Sequence, residues 1–264
     1  MQIGDISIDP VYDGSGTDRG LDILSRPGVE DPWSCHPGVL DDNGDLHMPM
    51  GGFLVRTGER VILVDAGLGA LERPGLSGGA LLDSLAALGT SAEQITDVVF
   101  THLHYDHVGW ATKSGEIVFP NATYRAHAGD WEYFVDGPDA TPGAVRKLTP
   151  LRDRIELFDA EHTVAPGVDA RPAAGHTPGS TVYVVSSGTE RALLIGDIAH
   201  SVVELAEPDW EAVFDVDKKA AQAVREAIAR ETIDTETYVV PAHFPQMAFG
   251  RVITTDTGRR WVAV

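Results

Sequence analysis

Residues 101–109 follow the apolar run Val98-Val99-Phe100 and read Thr101-His102-Leu103-His104-Tyr105-Asp106-His107-Val108-Gly109. Because side chains alternate along a strand, we expect His102 and His104 to point the same way, while a turn beyond the strand directs Asp106 and His107 to a second centre. Imidazole and carboxylate groups suit zinc, iron or manganese. Four donors this close cannot all bind one tetrahedral ion without strain. The spacing therefore favours two adjacent ions.

Three further donors stand where strands are expected to end. His176 lies in the glycine-rich segment 175–180, Asp197 follows the run 193–196, and His243 follows the run 238–240. Side chains at strand ends are well fixed, which suits a site that needs polar groups at a cleft. A lone histidine is usually a surface or structural residue, and a lone aspartate after a strand is usually a turn former. The clustering of these donors favours a metal site over that interpretation.

Apolar periodicity predicts sheets covered by helices. The elements that we predict are a hairpin of strands 53–57 and 60–64, a helix over 81–88 ended by Gly89, a capping box from Ser91 to Gln94, strands 98–100, 117–119, 123–126, 182–185, 192–195 and 238–240, and an amphipathic helix over 217–231. Residues 1–50 are rich in Gly, Pro and Asp and predict strand, loop and turn. Periodicity alone leaves open whether there are one or two sheets.

Composition limits the partners. The chain has 264 residues, 40 Asp plus Glu against 20 Lys plus Arg, and a formal charge of −20, which argues against nucleic acid and anionic membranes. One cysteine, Cys35, cannot form an internal disulfide. The N-terminus has neither a basic region nor a long apolar run, so no secretory signal is expected, and no stretch reaches the length of a membrane span. We expect one domain over residues 1–264, located in the cytoplasm, with a homodimer left open.

The segment Thr101–Gly109 resembles the HxHxDH signature of the metallo-β-lactamase superfamily. The resemblance extends, in the family's order, to Asp65-Ala66-Gly67, Gly175–Gly179, Gly196-Asp197 and Ala242-His243. It implies an α/β (α+β) fold, the four-layer αβ/βα sandwich, with a dinuclear site between two sheets. It also implies that His102, His104 and His176 hold one ion, that Asp106, His107 and His243 hold the second, and that Asp197 bridges them. Asp65 would orient a ligand histidine.

The resemblance implies a metal-dependent hydrolase with two Zn²⁺ ions, with Mn²⁺ or Fe²⁺ as alternatives. A hydroxide shared by the two metals would attack a lactone or ester carbonyl of a small-molecule substrate. Asp106 is the expected catalytic carboxylate, and its replacement by Asn should empty or weaken one site and abolish turnover. The lone cysteine lies far upstream of the site, which argues against the β-lactamases that use cysteine as a late ligand.

Local similarity is strongest to the quorum-quenching N-acyl-homoserine lactonases and the methyl-parathion-hydrolase-like enzymes, in the segments Met50-Gly51-Gly52-Phe53, Phe119-Pro120-Asn121-Ala122 and Phe214-Asp215-Val216-Asp217. Many of these lactonases have a tyrosine three residues after the bridging aspartate, where this chain has His200. A histidine can donate a hydrogen bond or move a proton, so His200 is the second expected catalytic residue, and a packing role is equally open. The alternatives are an aryl-ester or organophosphate hydrolase on the same site and an iron-dependent sulfur dioxygenase. A non-catalytic binding module should have lost ligands, and none is lost.

Overall fold

Two large β-sheets form the centre of the molecule, which the computed structural model describes over residues 1–264. The strands are, in chain order, β1 Gln2–Ile3, β2 Ile6–Arg19, β3 Leu24–Ser25, β4 Asp45–Thr57, β5 Arg60–Val64, β6 Glu72–Arg73, β7 Leu76–Gly78, β8 Asp97–Val99, β9 Thr112–Lys113, β10 Glu116–Ile117, β11 Thr123–His127, β12 Ile155–Phe158, β13 His162–Ala165, β14 Val168–Pro172, β15 Thr181–Ser187, β16 Glu190–Gly196, β17 Glu211–Ala212, β18 Tyr238–Pro241, β19 Gly250–Thr255 and β20 Gly258–Ala263. The α-helices are α1 Gly20–Ile23, α2 Leu81–Ala87, α3 Ala128–Trp131, α4 Pro142–Leu148, α5 Val202–Ala206 and α6 Lys218–Thr232. Short 3₁₀ turns lie at Pro32–Cys35, Ala92–Gln94, Thr149–Leu151 and Pro245–Met247, and a π-helical turn lies at Glu132–Asp136.

The first sheet has nine strands and the second has seven. Strand order in the first sheet is β12-β11-β8-β5-β4-β2-β7-β6, with β1 paired to β2, and in the second it is β13-β14-β15-β16-β18-β19-β20. Most neighbouring strands are antiparallel, but β5 and β8 run parallel in the first sheet, as do β16 and β18 in the second. Each sheet therefore has parallel strands whose carboxyl ends meet at one edge.

The two sheets pack face to face because their strands are apolar on both sides. In β5, Ile62 and Val64 belong to the core between the sheets, whereas Leu63 packs on the outer face with Leu81 and Leu85 of α2. Fully burying side chains of this size contributes about 1.5–3 kcal/mol each. Strands that are buried on both faces are typical of sheets covered by helices.

The second sheet repeats this pattern. In β15, Tyr183 and Val185 belong to the core between the sheets, and Val182 and Val184 pack outward in the cluster that includes Ile228 of α6. The predicted four-layer αβ/βα sandwich is confirmed. No helix in it is both long enough and apolar enough to cross a membrane.

Most of the predicted elements are present. The hairpin forms with the expected pairing of Thr57 and Arg60, and its first strand begins earlier, at Asp45. Gly89 ends the helix region with a left-handed φ of 71°, and the capping box at Ser91 is formed. Helix α6 begins one residue later than predicted because Asp217 is its N-cap.

The prediction of a strand over residues 117–119 is wrong. Only Glu116–Ile117 pairs, as a short bridge to Thr112–Lys113. Phe119 is buried, but its backbone N–H donates to the Tyr124 hydroxyl at 3.2 Å instead of to a neighbouring strand. Within this run only Phe119 is buried, and the Tyr124 side chain accepts the hydrogen bond that a neighbouring strand would have accepted.

Candidate metal centre

The candidate site lies where the carboxyl ends of the two parallel strand pairs meet. Asp65 follows β5 and His102 follows β8 in the first sheet, and Asp197 follows β16 and His243 follows β18 in the second. Ligands of open α/β sheets bind at the carboxyl ends of strands, where loops leave a crevice. The sandwich thus brings residues almost 180 positions apart in sequence to one place.

Three histidines form the first donor group. His102 Nε2 lies 3.0 Å from His104 Nδ1, His176 Nε2 lies 3.0 Å from the same His104 atom, and the Nε2 atoms of His102 and His176 are 3.3 Å apart. Tetrahedral zinc with Zn–N bonds of about 2.0–2.1 Å would place neighbouring ligand atoms about 3.3–3.4 Å apart. The three nitrogens are therefore close to the spacing that a zinc ion requires.

Asp106, His107 and His243 form the second group, and Asp197 lies between the two groups. Asp197 Oδ1 is 3.2 Å from His107 Nε2 and 3.0 Å from His243 Nε2, while its Oδ2 is 3.6 Å from His102 Nε2. Asp106 Oδ2 is 3.4 Å from His243 Nε2. In each group, including Asp197, the ligand atoms lie within 4.8 Å of one another. One carboxylate thus offers one oxygen to each group.

Asp65 holds His107 from behind. Its Oδ2 accepts from His107 Nδ1 at 2.9 Å and from the Thr101 hydroxyl at 2.7 Å, and its Oδ1 accepts the Thr101 N–H at 2.8 Å. Asp65 has a φ of 63°, a left-handed conformation that costs about 1–3 kcal/mol in a residue other than glycine. These hydrogen bonds fix His107 so that Nε2 faces the second group, as the sequence led us to expect for Asp65.

Two other ligand candidates are held in the same way. His176 Nδ1 donates to Asp215 Oδ1 at 2.9 Å, and His243 Nδ1 donates to the Pro49 carbonyl at 2.8 Å. In metal sites, a ligand histidine usually donates its outer N–H to a carboxylate or a carbonyl, which fixes the tautomer and the ring orientation. All three outer partners leave Nε2 as the inward atom.

A buried arginine ties this outer layer together. Arg225 of α6 is fully buried, and its Nη2 lies 2.8 Å from Glu204 Oε1 and 3.4 Å from Asp215 Oδ2. Glu204 Oε2 accepts the backbone N–H groups of His200 and Ser201 at 2.6 and 2.9 Å. Burial alone would raise the pKa of Glu204, but Arg225 and His200 lower it to about 2. The Arg225 guanidinium therefore holds both carboxylates behind the site, those of Glu204 and Asp215.

Asp130 fastens two site loops to each other. It accepts the N–H of Leu103 at 3.0 Å, between His102 and His104, and the N–H of Gly179 at 2.6 Å, in the loop of His176. Burial raises its pKa to about 6. Asp130 touches no donor atom of either group, so its role is to position the loops that carry them.

The first group consists of neutral imidazoles. Burial and the neighbouring His176 lower the pKa of His104 to about 3, and burial together with His107 lowers that of His102 well below its usual value. Burial lowers the pKa of His176 as well. A neutral imidazole offers the lone pair that a metal needs, since protonated ligands do not bind metal.

The carboxylates of the second group, Asp106 and Asp197, need positive charge close to them. Burial alone would lower the pKa of His243, but Asp197 and Asp106 raise it to about 10. Burial alone would raise the pKa of Asp197, but His243 and His107 hold it well below its usual value. The buried atoms His107 Nε2 and Asp197 Oδ1 have no hydrogen-bond partner. A divalent cation among these atoms would satisfy them and compensate the carboxylates.

A cavity of about 340 Å³ opens onto both groups; we call it the main cavity. Its lining includes His104, Asp106, Asp197, His200 and His243 on the donor side. The apolar side includes Ile23, Met48, Met50, Leu76 and Phe214. This volume is within the range of small-molecule sites, which are mostly apolar with a few placed polar groups.

His200 is buried at the wall of the main cavity. Its Nε2 lies 3.5 Å from Asp197 Oδ2, its Nδ1 lies 3.6 Å from Glu204 Oε2, and neither nitrogen has a hydrogen-bond partner. Its ring lies parallel to that of His243 with centroids 6.2 Å apart. An unpartnered imidazole beside the donors can hydrogen-bond to a bound molecule.

All the residues expected at the site from the sequence converge here. They are His102, His104, Asp106, His107, His176, Asp197, His200 and His243. Sequence reasoning missed Asp130, Asp215, Glu204 and Arg225. The segment around Asp215 carried a weak signal, since it was part of the local similarity to lactonases. The other three are isolated polar residues that nothing in the sequence pattern distinguishes.

Comparison with known proteins assigns this chain to a protein family. The model described as Metallo-beta-lactamase superfamily matches residues 52–243, about three quarters of the chain. An N-acyl homoserine lactonase from Bacillus sp. is 24% identical over 169 residues, which is 57% of this chain and 63% of that relative. The chain thus spans just under two thirds of the length of the first curated relatives it matches.

Two solved structures have a similar fold over the whole length of this chain. AidC, a dizinc quorum-quenching lactonase in complex with a product, has a TM-score of 0.89 and 25% identity, covering 100% of this chain and 96% of that one. Hydrolase AbOPH of the beta lactamase superfamily has a TM-score of 0.88 and 25% identity, with the same coverage. The predicted family is confirmed, and the donor groups are of the kind that binds metal ions in it.

Proposed function

The chain belongs to the metallo-beta-lactamase superfamily, and from that premise we propose that it is a dinuclear zinc hydrolase of lactones or related esters. The proposed ligands are His102, His104 and His176 for one ion, Asp106, His107 and His243 for the other, and Asp197 for both. The observation that carries the proposal is the position of Asp197, which offers Oδ2 to the first group and Oδ1 to the second. A carboxylate shared in this way supports two neighbouring ions.

Zinc fits the donors better than a hard cation would. Both groups consist of imidazole and carboxylate, and calcium and magnesium prefer oxygen ligands alone. When bound, two such ions supply Lewis acidity toward a carbonyl oxygen and lower the pKa of water toward neutrality. The outer partners Asp65, Asp215 and the Pro49 carbonyl keep the ligand rings in one orientation, so the site is formed before substrate arrives.

The residues of the main cavity then orient the substrate and handle protons. His200 stands at the wall with both nitrogens free, so that Nε2 can donate a hydrogen bond to the carbonyl or leaving oxygen of a bound ester. Asp106 also lines the cavity, and its carboxylate can accept a proton from the attacking water and return it to the leaving alkoxide. The apolar wall of Met48, Met50 and Phe214 keeps bulk water away from the acyl part.

The comparisons support a lactone as the substrate. The curated relatives include N-acyl homoserine lactonases, and AidC is a lactonase bound to its product. One observation favours the alternative of an aryl-ester or organophosphate hydrolase. Where many homoserine lactonases have a tyrosine, this chain has His200, so the donor to the substrate oxygen differs from that of those enzymes.

The test combines metal analysis with a substrate panel. The protein, purified with zinc, is assayed against N-hexanoyl-homoserine lactone, 4-nitrophenyl acetate and a phosphotriester, and its metal content is measured. We expect close to two zinc ions per chain and the highest kcat/KM on the lactone. A highest value on the phosphotriester would establish the alternative. One iron per chain with no hydrolysis of any compound would refute a zinc hydrolase.

A further inference from the structure

A second cavity adjoins the main cavity. It has a volume of about 680 Å³, compared with about 340 Å³ for the main cavity, and we call it the side cavity. The two cavities share three lining residues, Arg73, His104 and Tyr105. His104 belongs to the first donor group, so the side cavity begins at the metal site itself. A substrate with its carbonyl at the donors has room to extend into it.

The side cavity is cationic in a strongly acidic protein. Arg73, Arg146 and Lys147 line it, and its lining contains no Asp or Glu, although the chain has twice as many acidic as basic residues. Most Lys and Arg side chains of this chain contact a carboxylate, whereas these three form no ion pair. Three cations without a carboxylate partner thus line a cavity that continues from the metal site.

Each of these cations is placed for an anion. Lys147 is half-buried, and its Nζ donates to the carbonyls of Gly109 at 2.5 Å and Thr112 at 2.8 Å, which holds the charge in place and leaves one N–H. The Arg73 guanidinium lies 5.6 Å from the centre of the Tyr105 ring at the boundary of the two cavities. Arg146 is exposed on α4 and has no partner. A guanidinium binds a carboxylate with two parallel hydrogen bonds.

One part of the remaining lining is apolar, beside the hydroxyl-bearing residues Thr112, Ser114 and Thr141. Leu68, Leu103 and Phe134 are buried side chains that face the side cavity, and Leu71 is half-buried beside them. An apolar wall with cations around it suits a methylene chain that ends in a negative charge. A purely apolar acyl tail would leave the three cations without a negative charge to pair with.

We propose that the side cavity binds a carboxylate at the far end of the substrate's acyl chain, so that the preferred substrates are lactones or esters whose acyl group carries a terminal carboxylate. This inference rests on the proposed function, since it places the scissile carbonyl at the donor groups. The net charge of −20 repels anions from most of the surface, so the local cations are what makes such a substrate acceptable.

The test compares two esters that differ only in the terminal charge. Mono-4-nitrophenyl adipate carries a free carboxylate, and its methyl ester is the neutral match. For the wild type, we expect kcat/KM on the anionic ester to be about tenfold higher, the size expected for a few partly exposed charged hydrogen bonds. Each of R73Q and R146Q should lower that ratio about twofold, and the double variant should reduce it to the roughly two- to threefold preference that Lys147 alone supports. High salt should lower the ratio in the wild type.

The control variant is Arg260→Gln, which removes an exposed, unpaired arginine outside both cavities and should leave the ratio unchanged. Equal kcat/KM on the two esters, or a preference that is undiminished in the double variant, would overturn the inference while the proposed function stands.

A binding measurement keeps the two proposals separable. Calorimetry with the mono-anilide of adipic acid and its methyl ester needs no turnover. If neither nitrophenyl ester is hydrolysed, the proposed function fails, but tighter binding of the acid that is weakened in the double variant would still support the side cavity as a carboxylate site. Equal binding of the two anilides would overturn it.

Discussion

Replacing Asp215 by Asn removes one negative charge behind the first donor group and leaves the shape of the side chain unchanged. Asp215 Oδ1 accepts from His176 Nδ1 at 2.9 Å, and both residues are buried. The N–H that His176 gives to Asp215 fixes the tautomer whose Nε2 faces His102 and His104. An amide oxygen can still accept this hydrogen bond, but without the charge.

The magnitude follows from the change of acceptor. A hydrogen bond to a charged group contributes about 1.5–3 kcal/mol, compared with about 0.5–1.5 kcal/mol for a neutral one. The expected loss is therefore about 1.5 kcal/mol, which corresponds to about a tenfold weaker binding constant. This agrees with the range of about 10–100-fold for outer partners of metal ligands. Arg225 keeps Glu204 at 2.8 Å, so we expect D215N to fold.

The assay is a competition for zinc with a chromophoric chelator, which resolves two stepwise affinities. D215N should weaken one affinity about tenfold and leave the other within about twofold. The matched control is Asp217→Asn, two residues away. Asp217 caps α6 by accepting the Ala220 N–H at 3.0 Å, and asparagine caps equally well. D217N should leave both affinities unchanged.

Two results would refute this reasoning. If D215N binds both ions as the wild type does, Asp215 does not orient a ligand histidine. If both affinities fall equally and the metal-free protein is less stable, the substitution has disturbed the fold and the effect is not local to His176.

Three further predictions concern single residues. His200→Ala should lower kcat on the best substrate about 100-fold while zinc content stays at the wild-type level; an unchanged rate would remove the proposed donor role. The two oxygens of Asp130 accept one N–H each, from Leu103 and Gly179, and Asp130→Asn replaces one of them by a donor, so urea unfolding should show a loss of about 2 kcal/mol, and a loss below about 0.5 kcal/mol would contradict this role. Burial alone would raise the pKa of Asp97, but hydrogen bonds from Arg60, Thr96 and Arg125 lower it, so its contribution to stability is present above the unfolded pKa of about 3.9 and is lost as pH falls below that value. Asp97→Asn should destabilise the protein by about 3 kcal/mol at pH 7 and by about 1 kcal/mol less at pH 3, and a difference that does not change with pH would count against this ion pair.

The candidate metal ligands could be predicted from the sequence because they are concentrated at the ends of strands. Three of the first four donors are histidines, and His176, Asp197 and His243 each follow a strand or lie in a glycine-rich loop, so local context marks them. The resemblance to a family then implied which ligands belong to which ion, an assignment that spacing alone left open.

The outer layer was beyond sequence reasoning because its contacts are purely tertiary. Asp130 is 27 residues from Leu103 and 49 from Gly179, yet it bonds both. Arg225 is an arginine on an amphipathic helix, where the pattern predicts a solvated side chain, but it is fully buried between two carboxylates. Only the fold brings those charges together. The absence of the predicted strand at Phe119 has a similar cause, since the Phe119 N–H donates to the Tyr124 hydroxyl and not to a neighbouring strand.

Anomalous diffraction at the zinc edge, from crystals of the zinc-loaded protein, tests the central claim most directly. We predict two peaks, one bounded by His102, His104 and His176 and the other by Asp106, His107 and His243, with an oxygen of Asp197 on each. A single peak, or a second peak away from Asp197, would contradict a dinuclear site.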